Sequence, residues 1–396
     1  MGICRLFWIA AFGTALAVFA AAGCASKPDY PPNLAFPSRI DLLVLKSAEI
    51  TPTSPETEPT ADEAIARFQA LGGKTADPKG APTDVRIALD SFLKDTFGTP
   101  AASRIAASND PDVGAKAEVL GLSPDSLTQG GKSFRYYCLK CHNITGDGRG
   151  PAANSMYPFP RDYRRGQFKF VTSGEGGKPR RADLMHTLAD GLRGTAMPPF
   201  GLLPETERDL LVRYVTYLSI RGQVEFETFA AVLSGETTDG PGFASGRVKS
   251  VLAEWEKAES APPVPTAPDD GAPGSTSHQA AVKRGYELFI RKADNSCITC
   301  HAEFGRKPLL RYDLWGTVAK PANLVASEPA YKGGARAEDL FARIRGGIAP
   351  VGMPAHPELT ERQVWDLVRF VKSAPNPQEL PPDIRKAVYP ETGGAP

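Results

Sequence analysis

Cysteine placement constrains this chain more than its length does. The 396 residues hold six cysteines, at positions 4, 24, 138, 141, 297 and 300, and the last four form two Cys-x-x-Cys pairs, each followed at once by histidine. Cys138-Leu139-Lys140-Cys141-His142 and Cys297-Ile298-Thr299-Cys300-His301 have the spacing of covalent haem c attachment. Two intervening residues let both thiols reach the two vinyl groups on one porphyrin edge, and the next side chain then falls beneath the iron. A zinc site would want four converging ligands. A thioredoxin-like pair would want a βαβ pattern. Both readings weigh less than two covalent haems, because two such pentapeptides on one chain rarely arise by chance.

The N-terminus speaks to the compartment. One positive charge, Arg5, precedes an apolar run from Leu6 to Ala22, which reads as an export signal. The run is a little short of the roughly 20 residues that span a bilayer, so an uncleaved anchor is the competing reading. Ala21-Ala22-Gly23-Cys24, followed by Ala25-Ser26, resembles the lipobox of bacterial lipoproteins. The resemblance implies that residues 1–23 are a lipoprotein-type signal peptide and that the Cys24 thiol is acylated. The mature chain would then be lipid-anchored at the periplasmic, extracytoplasmic face of a bacterial membrane. The alternative is an ordinary signal with an incidental cysteine.

Beyond it, residues 24–60 form a Pro/Thr-rich tether that cannot bury a core by itself. Residues 61–122 are a partly helical extension, with helical spacing over 61–71 and 84–98. A first haem-bearing domain spans 123–221, and a helical insert with one helix, Val248 to Ala258, spans 222–259. A flexible linker occupies 260–278, a second domain 279–374 and a C-terminal tail 375–396. The two domains repeat each other: Cys138 and Cys297 are 159 residues apart, Met197 and Met353 are 156 apart. The helix expected over Thr206 to Leu218 places Leu211, Tyr214, Val215 and Leu218 on one face, and Thr360 to Val371 does the same with Val364, Leu367, Val368 and Val371. Each opens on a capping-box signature, Thr206 with Asp209 and Thr360 with Gln363.

Here the sequence resembles, twice over, the cytochrome c family of small all-α haem domains. The family opens each domain with a helix carrying a glycine and aromatics, which Gly131, Phe134 and Tyr137 match in one half and Gly285, Tyr286 and Phe289 in the other. The resemblance implies two covalently bound haem c groups, held by Cys138, Cys141, Cys297 and Cys300, with His142 and His301 as proximal iron ligands. The family places its axial methionine on a loop before the last helix, where Met197 (Gly194-Thr-Ala-Met197-Pro198) and Met353 (Gly352-Met353-Pro354) stand. It also orients the proximal imidazole with a proline carbonyl, which implies Pro151 in the first half and, as a weaker match, Pro308 in the second. The Pro160-Arg161-Asp162-Tyr163 stretch looks like family loop sequence with no assigned role. His356 competes with Met353 as a ligand. Met185 and Met156 are expected in packing, His186 on a helix surface, and His278 without a chemical task.

With 46 basic and 45 acidic residues the chain lacks the cationic excess of a polyanion binder. The balance hides a partition: 15 basic against 8 acidic over 130–222 and 15 against 10 over 280–375, with 10 against 15 over 25–129 and 3 against 9 over 223–279. The reading that follows is a membrane-tethered dihaem electron carrier, not an enzyme. Its expected redox partners are a respiratory donor, a quinol-oxidising complex or dehydrogenase, and a terminal oxidase or reductase, with no role for nucleic acid. Two alternatives stand beside it: a dihaem peroxidase-like oxidoreductase and a haem subunit of a respiratory complex.

Overall fold

A computed structural model describes residues 27–48, 61–106, 110–292, 296–327 and 331–390. The signal segment and Cys24 lie outside these residues. Helix dominates, and the strands are short pieces in three antiparallel pairs. In chain order, β1 (Leu43–Lys46), α1 (Ala61–Ala70), β2 (Lys74–Ala76), α2 (Thr83–Phe97), β3 (Gly98–Thr99), β4 (Ala102–Ser103) and α3 (Pro111–Val119) precede the first motif. Then come α4 (Pro124–Tyr137), α5 (Leu139–His142), α6 (Arg181–Asp190), α7 (Glu205–Ser234) and α8 (Gly240–Glu259). The second half holds α9 (Thr276–Ile290), α10 (Cys297–Cys300), β5 (Arg311–Tyr312), β6 (Val318–Ala319), α11 (Ala337–Gly346), α12 (Glu361–Ser373) and α13 (Pro382–Val388).

Each half is built on one helix crossing, α4 on α7 and α9 on α12. The crossings need glycine. A Cβ on Gly130 would collide with the Leu210 carbonyl, and one on Gly285 with the Asp366 carbonyl. The closest approach in the first half is therefore at Gly130, one residue before the expected Gly131, which instead faces the Tyr214 ring. Phe134 and Phe289 sit four residues after the crossing glycines, and both are buried. The stripe Val364, Leu367, Val368 and Val371 is buried as its spacing requires, at roughly 1.5–3 kcal/mol for each side chain. The Thr360–Gln363 capping box forms. Its counterpart does not: α7 starts after Pro204 with no side-chain cap, which puts Thr206 inside the first turn.

Four expected boundaries change on folding. The 222–259 segment is no separate insert, because α7 runs unbroken from Glu205 through Gly222 to Ser234 and ends only at left-handed Gly235. It then folds back as α8, whose Val248, Val251, Leu252 and Trp255 share one core with Leu89, Leu93 and Phe97 of α2 and Val113 of α3. The described part of the tether, residues 27–48, lies on that body, with Tyr30, Arg39 and Leu43 buried and β1 paired to β2. It has no core of its own, as its composition implies, and uses one built by other segments. Residues 260–278 likewise lie against the second half rather than hanging free. The buried Asp270 pairs with Arg362 and Arg369, and Pro268 O accepts from Arg369 Nη2 at 3.0 Å. The tail is structural as well, since Leu380, Ile384 and Val388 are buried in the second core.

The two halves touch. Arg165 Nη1 donates to Leu314 O at 2.6 Å, and Ser47 Oγ donates to Asp313 O at 2.9 Å. No helix among the described residues is both long and apolar enough to cross a membrane.

Candidate functional site

The first motif begins where α4 ends. Ser123 caps this helix, with Pro124 at its first position, and Cys138 closes it. One further turn, α5, carries Cys141 and His142, and the His142 N–H donates to Cys138 O at 2.9 Å. Sequence adjacency is thereby converted into a single compact turn holding both thiols and the imidazole. His142 Nδ1 lies 3.1 Å from the Arg161 carbonyl, so it carries the proton and Nε2 keeps its lone pair for iron. Burial pushes the His142 pKa down to about 4, which keeps the ring neutral, and the ring stacks on Tyr163 at 4.7 Å.

The second motif repeats this geometry. Ser296 precedes the Cys297–Cys300 turn, the His301 N–H donates to Cys297 O at 2.9 Å, and His301 Nδ1 lies 3.1 Å from the Ala322 carbonyl. Burial lowers the His301 pKa too.

These contacts correct the proline expectation. Pro151 is exposed, and the carbonyl that meets His142 belongs to Arg161; in the second half it belongs to Ala322, not Pro308. The signal was present in both halves as Pro-x-Asx-apolar: Pro160-Arg161-Asp162-Tyr163 and Pro321-Ala322-Asn323-Leu324. The Asx carboxyl or amide oxygen accepts the N–H two residues on, from Arg164 at 2.9 Å and from Val325 at 3.1 Å. The apolar residue then ties its N–H back to the motif loop, Tyr163 to Gly146 O and Leu324 to Phe304 O. Such a turn presents the preceding carbonyl inward, toward the imidazole.

The residues fit a covalently held haem. All four motif cysteines are free, and burial pushes the Cys138 thiol up to about 12 and the Cys297 thiol to about 11. Such apolar surroundings suit uncharged thioethers. Among the described residues no three His, Cys, Asp or Glu side chains gather to hold a bare metal ion. Cys138, Cys141 and His142 would hold one haem, and Cys297, Cys300 and His301 the other. The haem would supply the one-electron iron chemistry, while the protein sets ligation, orientation and burial.

The methionine loops are matched as closely. Gly191 and Gly347, both in the left-handed region, end α6 and the corresponding helix α11. The Leu192 N–H then donates to Met197 O at 3.2 Å, and the Ile348 N–H to Met353 O at 2.9 Å. A Cβ on Gly191 would fall 2.8 Å from Met197 O, and one on Gly347 2.6 Å from Met353 O, so each loop closes on its glycine. His356 is engaged elsewhere, with Nδ1 3.0 Å from Glu358 Oε1. Met185 packs partly buried against the first core, and Met156 closes a short 3-10 turn. His278 is buried in the first turn of α9, where its Nδ1 accepts from the Gly274 N–H at 3.3 Å. His186 is not simply a surface residue: Nδ1 lies 3.3 Å from Asp190 and Nε2 lies 3.4 Å from Asp339 of the second half.

Comparison with known proteins agrees with this geometry. Residues 125–215 match the family model of cytochrome c oxidase, cbb3-type, subunit III, and residues 282–375 match that of cytochrome c. No curated protein matches the chain. Among solved structures, a chain of a reducing HAO-like protein complex of Kuenenia stuttgartiensis is 25% identical over 62% of this chain and 95% of that one. Its TM-score of 0.43 is too low to bear on the fold. Two cytochrome c-type domains in tandem, each with one covalently bound haem c, make the chain a dihaem cytochrome c.

Proposed function

We propose that this haem electron-transfer protein is a carrier without substrate chemistry, held by an acylated Cys24 at the extracytoplasmic face of a bacterial membrane. It takes single electrons from a quinol-oxidising complex or a dehydrogenase and passes them to a terminal oxidase or reductase. His142 with Met197 ligate one iron, and His301 with Met353 the other. The observation that carries this reading is the matched pair of methionine loops, with the same glycine, the same backbone hydrogen bond and the same following proline in both halves. A peroxidase-like enzyme needs one iron whose sixth position opens to substrate, and neither loop departs from the other in that direction. Closed His/Met coordination raises the potential and needs no ligand exchange on reduction.

Spectroelectrochemical titration of the lipid-free holoprotein, with carbon monoxide added at the reduced end, tests the reading. Two waves in the His/Met range, with spectra indifferent to carbon monoxide, are expected. A ferrous haem that binds carbon monoxide readily, or peroxide turnover at enzymic rates, would overturn it.

A further inference from the structure

The seam between the halves carries more positive charge than its protein partners neutralise. Arg161, whose carbonyl orients His142, lays its guanidinium 3.6 Å from the centroid of the Trp315 ring of the second domain. Among the described residues its N–H groups donate to no carboxylate. The two acids near it are committed elsewhere. Asp162 binds Arg164 through both oxygens, at 3.0 and 2.8 Å. Asp313 is buried and accepts from the Trp315 N–H, from the N–H and hydroxyl of Thr317, and from Lys169 Nζ at 3.2 Å. Lys332, from the second domain, adds a third cation: the next residue, Gly333, packs so close to the Phe170 ring, beside Lys169, that a Cβ would fall 2.4 Å from it, and burial, then Arg161, lowers the Lys332 pKa. Burial, then repulsion from Arg161, pushes Lys169 down to about 8 despite Asp313. Arg165 and Arg343 at the same seam differ, because backbone carbonyls take their N–H groups: Leu314 O for Arg165, and Gly333 O and Gly334 O for Arg343.

Three cations around one fully engaged carboxylate suit an anionic ligand, and a planar guanidinium suits a carboxylate in particular. We propose that Arg161, Lys169 and Lys332 form a carboxylate-binding seam between the two haem domains, and that the carboxylates it takes are haem propionates. Arg161 stands beside the proximal histidine of the first haem, so a covalently delivered carboxylate meets it at high effective concentration. The seam also touches the second site, since the Leu314 N–H donates to Pro350 O at 2.9 Å, three residues before Met353. Through Trp315, which pins the Arg161 side chain, the second domain sets the charge beside the first haem. The inference rests on one haem c in each domain and not on the carrier role, so carbon monoxide binding would leave it standing.

The test measures both midpoint potentials of the holoprotein in a non-coordinating buffer, for wild type, Arg161→Met, Arg161→Lys and Lys332→Met, with and without inorganic phosphate. Arg161→Met keeps the carbonyl that holds His142 and removes the charge together with its stacking on Trp315. It should lower the potential of one haem without changing its absorption spectrum, because a nearby cation favours the reduced iron. Arg161→Lys should restore most of the shift, Lys332→Met should move the same haem a smaller distance in the same direction, and phosphate should leave wild type unmoved. Unchanged potentials in both methionine variants would overturn the proposal. A wild-type potential that follows phosphate would assign the seam to a soluble anion and overturn the propionate assignment. If Arg161→Met does not mature, the exposed Lys332→Met decides alone.

Discussion

The two haem domains reach the same site geometry with unequal support. In the first, α4 and α7 are buttressed by α2, α3 and α8 in one continuous core, and His142 stacks on Tyr163. The second has a smaller core closed by the 260–278 segment and α13, and it has Leu324 where the first has Tyr163. Their motif loops differ in backbone cost as well. The first has one non-glycine residue at positive φ, Asn143 at 58°, beside Gly146 and Gly148, while the second has two, Glu303 and Phe304, at 50 and 59°. Non-glycine residues there cost of order 1–3 kcal/mol each, held in place only by surrounding contacts. Ligand geometry is thus specified locally and twice, whereas the stability beneath it is supplied differently each time.

The sharpest way to break the comparison is at the methionines. Met197→Ala and Met353→Ala should each open one iron to carbon monoxide and lower that haem's potential by on the order of 0.1 V, within the roughly 0.8 V that axial ligands control. Equal falls would show that the matched loops impose equal ligation. A variant that leaves both potentials and carbon monoxide binding at wild-type values would remove that methionine from the iron.

Next in size are the crossings. Gly130→Ala and Gly285→Ala should each destabilise their own domain by about 1–3 kcal/mol, the usual cost of overpacking. Thermal unfolding followed at each haem's absorption would read this. Loss of the first haem should bring down α2, α3 and α8 with it, and loss of the second should leave the first domain folded.

Acid should separate the halves by a similar amount. Burial pushes the Asp41 carboxyl up, but Arg39 and Arg164 outweigh it and hold it at about 2, below its ordinary 3.8. A carboxyl depressed on folding contributes stability that is fully present above the unfolded value and is lost as pH falls toward the folded one. The contribution is therefore about 2 kcal/mol at neutral pH, fading between about pH 4 and 2. Arg164 grips Asp41 through both oxygens, at 2.8 and 2.9 Å, so this loss should loosen residues 27–48 from the first domain. In Asp41→Asn the proteolytic protection of that segment should be weak at neutral pH and insensitive to acid over the same window.

The smallest expected effect is Glu303→Gly. Relief of the left-handed backbone should stabilise the second domain by up to about 1 kcal/mol, since the Glu303–Lys307 ion pair it removes is solvent-exposed. A lower unfolding temperature would show that the surrounding loop does not relax.

Much of the site was legible in the chain. The candidate cysteines and histidines are adjacent in sequence because one helical turn must hold all three, and the two candidate methionine loops stand out by Gly and Pro around a rare residue. The carbonyl that orients each histidine was harder to find. Pro151 follows a glycine in the family manner, yet a carbonyl's direction depends on the turn that follows it, and the Asx turns at Asp162 and Asn323 aim Arg161 O and Ala322 O instead. The helices of 61–122 and 222–259 were legible one by one from their spacing. Their partnership was not, because Leu89 and Val251 enter one core only after more than a hundred intervening residues have folded.

By itself the sequence determined the all-α class, the duplication and one covalent haem c in each half, because haem attachment and helical amphipathicity are written in spacings of a few residues. Tertiary structure alone decided that residues 27–48 and 260–278, on either side of the first domain, are laid down rather than free, and that Arg161 meets Trp315 across a charged seam. A short polar segment has no core of its own, so its order depends on whether a distant surface offers matching charges and apolar contacts. That complementarity exists only once both surfaces are built.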